Sequence, residues 1–120
     1  MTTLKQVTGK WGEEIAAHYL EKRGYAILTR NFHTAHGEID IVACKEGALV
    51  FVEVKTRSSH TFAYPEDSVT RRKQASMLSA AEDYLQAHPE SSESWQFDVI
   101  AIERKPAGQP EILHFENVIS

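Results

Sequence analysis

Two stretches of the chain alternate apolar and polar positions with a period of two. They are Glu38-Ile39-Asp40-Ile41-Val42-Ala43 and the Val- and Phe-rich run Ala48–Lys55, and both read as β-strands. Ahead of them, Trp11, Ile15, Ala16, Tyr19 and Leu20 fall within a half-turn stripe at about 100° per residue. That stripe predicts a helix over 9–23, closed by Gly24 as a C-terminal cap. Tyr25–Phe32 is then a strand, and residues 56–65 form a polar loop. A long helix runs from Thr70, its N-cap, to about His88, with Met77, Leu78, Ala81 and Leu85 on its apolar side. Ser91 to Ser94 read as a loop after Pro89. Gln96–Ile102 is a strand, Pro106–Pro110 a turn and Glu111–Asn117 a last strand. The predicted order is α-β-β-β-α-β-β, an α/β (α+β) fold with a mixed β-sheet flanked by two main helices.

Pairing the second and third strands as an antiparallel hairpin around Lys45-Glu46-Gly47-Ala48 places Asp40 opposite Glu53, Glu38 opposite Lys55 and Val42 opposite Phe51, all on one face. Ile39, Ile41, Ala43, Val50, Val52 and Val54 form the other face, which is core. The first face is apolar at the turn end and ionic at the open end, which describes a cleft beside a core. Asp40 against Glu53 is a like-charge pair of the kind sheets avoid. Two carboxylates held within reach of each other call for a cation, and oxygen ligands suit Mg²⁺ or Mn²⁺ better than zinc. Lys55, on the same face, is placed to orient a water or meet the charge of a phosphate. A solvated sheet face with a cross-strand ion pair is the plain alternative.

Length and composition narrow the setting. One hundred and twenty residues make one domain, 1–120, and the 42% hydrophobic and 25% charged fractions are those of a globular chain. No run approaches the roughly 18 apolar residues of a membrane span. The N-terminal region lacks the apolar core of a secretory signal, and a lone Cys44 cannot form an internal bridge. A cytoplasmic protein without membrane contact is expected. The net charge of −4 is unevenly spread. Residues 31–54 carry one cation and four anions, whereas residues 55–73 carry five cations and two anions. Alternating acidic and basic blocks fit metal-assisted chemistry on a phosphate and fit a charged surface equally well.

Asp40, twelve residues, then Glu53-Val54-Lys55 is the D…ExK signature of the PD-(D/E)XK nuclease superfamily, with Ile39 where that signature has proline. Further blocks are Gly9-Lys10-Trp11-Gly12-Glu13-Glu14-Ile15-Ala16, Gly37-Glu38-Ile39-Asp40, Leu49 to Arg57, Pro65-Glu66-Asp67-Ser68-Val69 with Lys73 after it, and Phe97-Asp98-Val99-Ile100. In this order they make almost the whole chain resemble the YraN-like family of predicted endonucleases, related to archaeal Holliday-junction resolvases. The resemblance implies a restriction-endonuclease-like core. It implies Asp40 and Glu53 as metal ligands, Lys55 as the catalytic lysine and Glu13 as the first-helix carboxylate that completes the metal site. Glu13 itself sits at the rim of the first helix's apolar stripe. The resemblance further implies DNA as the partner, with branched DNA among its candidate substrates, and a homodimer.

Arg71, Arg72 and Lys73 stand in the first turn of the second helix, where the helix dipole disfavours cations and an anion would relieve the conflict. Together with Arg57, and with Gln74 facing the sheet, Arg71 and Lys73 are the expected DNA-backbone contacts. His33 and His36 lack a second ligand cluster at zinc spacing. Ser58, Ser59 and His60 lack a nucleophile turn and read as a flap over the substrate. Cys44, Trp11 and Trp95 read as packing residues. The expected activity is metal-dependent hydrolysis of DNA phosphodiester bonds. A non-catalytic nucleic-acid- or partner-binding module on the same fold is the rival, and a fold merely stabilised by metal is a third reading.

Overall fold

The computed structural model describes residues 4–57, 70–91 and 94–119. Of the loop expected over 56–65, Thr56 and Arg57 instead extend a strand beside its parallel neighbour; its remainder, the Ser58–His60 flap, the Pro65 to Val69 block and the middle of the Ser91–Ser94 loop lie outside the described residues. The elements follow the predicted order: α1 (Leu4–Lys22), β1 (Ala26–His33), β2 (Glu38–Lys45), β3 (Ala48–Arg57), α2 (Arg71–Ala87), β4 (Trp95–Glu103) and β5 (Glu111–Phe115). Helix α1 begins five residues ahead of the expected start. Once a helix is nucleated, a single Gly9 costs only about 1 kcal/mol and does not stop it. It ends where Gly24 directs: Gly24, at φ 90°, lets Tyr25 N–H donate to Leu20 C=O at 3.0 Å and Gly24 N–H to Glu21 C=O at 3.1 Å. Thr70 caps α2, its Oγ1 accepting from Lys73 N–H at 3.1 Å.

The five strands form one mixed sheet in the order β1-β2-β3-β4-β5. The β3–β4 pair is parallel, with α2 as its crossover, and the other pairs are antiparallel. The β2–β3 register is the expected one over Ile41↔Val52 to Lys45↔Ala48, closed by the two residues Glu46 and Gly47, both at positive φ. One face carries α1: Ala16, Ala17 and Leu20 pack on Ile41, Ala43, Val50, Val52, Ile100 and Ile102. The other carries α2: Met77, Ala80, Ala81 and Tyr84 pack on Val42, Leu49, Phe51, Phe97 and Val99.

Two glycines set how closely the helices approach the sheet. A Cβ on Gly12 would overlap the Thr56 hydroxyl, so α1 lies directly against the far end of β3 and brings Glu13 there. A Cβ on Gly37 would overlap Ser76, so the β1–β2 turn is seated on α2. Ser76 Oγ donates to His36 C=O at 3.0 Å, and His36 Nδ1 lies 2.8 Å from Asp83 Oδ2. The turn and the helix thus hold Glu38 and Lys73 near each other.

One expectation about the faces does not hold. Ile39 is buried with Met77 on the α2 side, not with Ile41 on the α1 side. Asn31, in the left-handed region at φ 54°, kinks β1 opposite Asp40, and beyond that kink both Phe32 and Ile39 pass to the other face. Trp95 packs edge-on against Phe51 and Phe97 but stays 40% exposed at the rim of the core, whereas Trp11 is half-buried under the Arg104 guanidinium.

Candidate active site

The site lies where β2 leaves β3. Their ladder stops at Ile41↔Val52, so Asp40 and Glu53, and Glu38 and Lys55, are not the opposed pairs that an ideal hairpin would make. The physical reason is a substitution of partners. Asp40 Oδ2 accepts the Val54 N–H at 2.8 Å, so a side-chain carboxylate takes a backbone donor of β3 just beyond the end of the β2–β3 ladder. Meanwhile β3 runs on beside β4 through Glu53↔Val99 and Lys55↔Ala101 to Arg57↔Glu103. Beyond the ladder the two strands no longer pair, and hollows open beside the start of β2.

Two adjoining hollows share this region. One, of about 550 Å³, is lined by Lys10, Glu13, Asn31, His33, Glu38 and Asp40. The other, of about 470 Å³, is lined by residues 33–38 with Lys73, Ser76 and Met77. Glu53 is 6% exposed, following Phe51 on the α2 side of β3. Its Oε1 lies 3.1 Å from Lys73 Nζ and 3.5 Å from Lys55 Nζ. Burial, and then the charge of Glu53, push the Asp40 carboxyl up to about 7 against the pull of the Val54 N–H, with Glu13 and Glu38 adding to the rise. Burial works against the Lys73 charge, but Glu53, Asp40 and Glu38 outweigh it and hold its pKa above the usual lysine value.

Of the expected site residues, Asp40 feels the charges of Glu53, Glu13 and Glu38, and Glu53 meets Lys55 and Lys73. The donor set suits a hard divalent cation. Its candidate ligands are carboxylate oxygens, and Asp40 is held against its own charge by three neighbouring acids. Of the expected DNA contacts, Arg71 is exposed in the first turn of α2, Gln74 is half-buried behind it and Arg57 ends β3. Lys73 faces the carboxylates instead.

A second cluster escaped the sequence reading. Asp98 is fully buried, and its Oδ1 accepts from Gln96 Nε2 at 2.9 Å and from Asn117 N–H at 3.0 Å. Its Oδ2 lies 2.7 Å from His114 Nε2, and His114 Nδ1 lies 3.1 Å from the Tyr19 hydroxyl. A carboxylate only accepts, so Nε2 carries the proton and, in the neutral ring, Nδ1 accepts from Tyr19. Ligand atoms of Asp98, His114 and Glu116 all lie within 4.8 Å of one another, so this group could hold a metal ion. Asp40, Glu53 and Glu13 do not converge so tightly, Glu53 being drawn onto the two lysines. The Asp98–His114 contact is already satisfied from within the protein and ties β5 to β4 and α1, which is structural work. The Asp98 block was visible in the chain, but its partner, sixteen residues away on β5, carried no motif.

The family model for Uncharacterised protein family UPF0102 matches residues 12–102. A UPF0102 protein of Syntrophomonas wolfei is 52% identical over 94 residues, which cover 78% of this chain and 82% of that protein. One from Syntrophotalea carbinolica is 44% identical over 115 residues, 96% of this chain and 93% of its own length. Among solved structures, SfsA of Pyrococcus furiosus in complex with Ca²⁺ matches with a TM-score of 0.40 and 16% identity, over 93% of this chain and 63% of that one. That likeness is too slight to bear on this chain's chemistry. Among the described residues no helix is long and apolar enough to cross a membrane.

Proposed function

The chain belongs to the uncharacterised protein family UPF0102, the YraN-like family that its motifs resemble, and for this member we propose metal-dependent hydrolysis of DNA phosphodiester bonds. The observation that carries the reading is that the half-buried Asp40 and the buried Glu53, at the end of the β2–β3 ladder, act on each other's charge while Glu53 meets the Lys55 ammonium. Like charges packed this way are costly for folding alone and sit where chemistry uses them.

Asp40, Glu53 and Glu13 would hold one or two Mg²⁺ or Mn²⁺ ions. A divalent cation bound there supplies a water made nucleophilic at neutral pH and positive charge for the phosphate in its transition state. Asp40 is fixed through Oδ2 by the Val54 N–H, and it lines the hollow shared with Glu13 and Glu38. Lys55, beside Glu53, stabilises charge on the attacked phosphate. Arg57 at the end of β3 and Arg71 at the start of α2 would hold the DNA backbone. A second copy of the chain would present a second site to a branched substrate.

The test is a cleavage panel on labelled four-way junction, flap, single-strand and duplex DNA in Mg²⁺, Mn²⁺ or EDTA, with Lys55→Ala run beside the wild type. We expect cutting in either metal, none in EDTA, and a loss of about 10²- to 10³-fold in Lys55→Ala. DNA bound but left uncut by both proteins would favour the non-catalytic binding module.

A further inference from the structure

Lys73 is the site's least expected member. Its backbone is set by the cap of α2, and the first turn of that helix contains no acidic residue, so its ion-pair partner comes from the sheet. The ammonium crosses from helix to sheet and lies 3.1 Å from Glu53 Oε1, closer than Lys55, which is on Glu53's own strand and lies at 3.5 Å. One oxygen of a buried carboxylate therefore faces two ammonium groups at once. The same carboxylate is a proposed metal ligand. An oxygen bound to a divalent cation has less electron density to offer an ammonium, and the cation repels the ammonium at close range. Lys73, reaching in from a second element on a long flexible side chain, is the group that can leave.

We propose that the Lys73 ammonium stands in for the metal on Glu53 in the metal-free protein and that metal entry displaces it toward the substrate phosphate. This rests on the metal-dependent reading above. It gives Lys73 two successive partners. While the cleft holds no metal, Lys73 neutralises Glu53 and lowers the cost of keeping the carboxylate cluster folded. With the metal bound, its charge is free for a phosphodiester oxygen. Metal binding and DNA binding are thereby linked, each favouring the state in which Lys73 has left Glu53. Lys55 stays beside Glu53 on β3 throughout. Arg71 and Arg72, exposed in the same first turn, meet DNA whether or not metal is present.

The linkage is read without turnover. Free Mn²⁺ is followed by electron paramagnetic resonance during titration of wild type, Lys73→Gln, Lys73→Arg and Asp40→Asn, each confirmed as folded by circular dichroism. Affinity for a short duplex is then measured in EDTA and in Ca²⁺. The expected result is Mn²⁺ affinity about tenfold higher in Lys73→Gln, near the wild-type value in Lys73→Arg and lost in Asp40→Asn. Ca²⁺ should tighten duplex binding in the wild type and do so much less in Lys73→Gln. Equal or weaker Mn²⁺ binding by Lys73→Gln than by wild type overturns the displacement while leaving the metal site standing. Mn²⁺ binding that is absent from wild type, or unchanged in Asp40→Asn, overturns the metal reading itself and this inference with it.

Discussion

Asp40→Asn is expected to make the metal-free protein more stable while abolishing cleavage. Asparagine keeps an oxygen for the Val54 N–H but removes the charge that burial disfavours first and that Glu53, Glu13 and Glu38 then oppose. The sign follows from the shift. Asp40 titrates at about 7 in the folded chain against an ordinary 3.8, so between those values the folded state keeps a proton that the unfolded state has lost. The benefit of that proton is complete below about pH 4 and disappears as the pH rises through 7. A rise from 3.8 to about 7 corresponds to at most about 4 kcal/mol. In EDTA at pH 8, Asp40→Asn should therefore melt above the wild type by about 5–15 °C, with the difference vanishing near pH 4. Mn²⁺ should raise the Tm of the wild type at pH 8 and leave that of the variant unmoved. Cleavage should fall about 10³-fold or more. Thermal melts across this pH range check the first part. A variant less stable than wild type at pH 8 would mean that Asp40 is a structural acid.

His114→Ala should have the opposite profile: a large loss of stability with the cleft's metal response intact. His114 meets Asp98, which is fully buried, and its removal leaves that carboxylate with two of its three partners. It also frees Tyr19 on α1 and weakens the hold on β5, an edge strand of five residues. Stranding a buried charge typically costs about 3–5 kcal/mol, and the two remaining donors place this case near about 3. Urea unfolding should show a lower midpoint. The Tm gain from Mn²⁺ should be the same as in wild type. If that gain disappears, the ion binds at Asp98, His114 and Glu116.

Much of this was legible in the chain because local rules governed it. The element order, the Gly24 and Thr70 caps and the Ile41–Val52 register follow from periodicity, glycine conformation and capping chemistry. The fate of Asp40 was not legible. An ideal hairpin places it opposite Glu53, and nothing in the alternation reveals that its carboxylate takes the Val54 N–H or that Asn31 turns the strand over. The like-charge argument reached the right residues through an idealised geometry. Lys73 stood out in the chain only as a DNA-backbone contact, since only the packing of α2 turns it onto Glu53 and away from its exposed neighbours Arg71 and Arg72. His114 was invisible because its partner, Asp98, is met through the β4–β5 register and not through any spacing along the chain.

Both carboxylate clusters offer metal ligands, and the account assigns the ion to only one of them. Crystals grown or soaked in Mn²⁺ at about pH 8, with diffraction measured near the manganese absorption edge, locate it directly. The account predicts an anomalous peak between Asp40 and Glu53, with Lys73 turned away from Glu53. A peak at Asp98, His114 and Glu116, with none in the cleft, would contradict it.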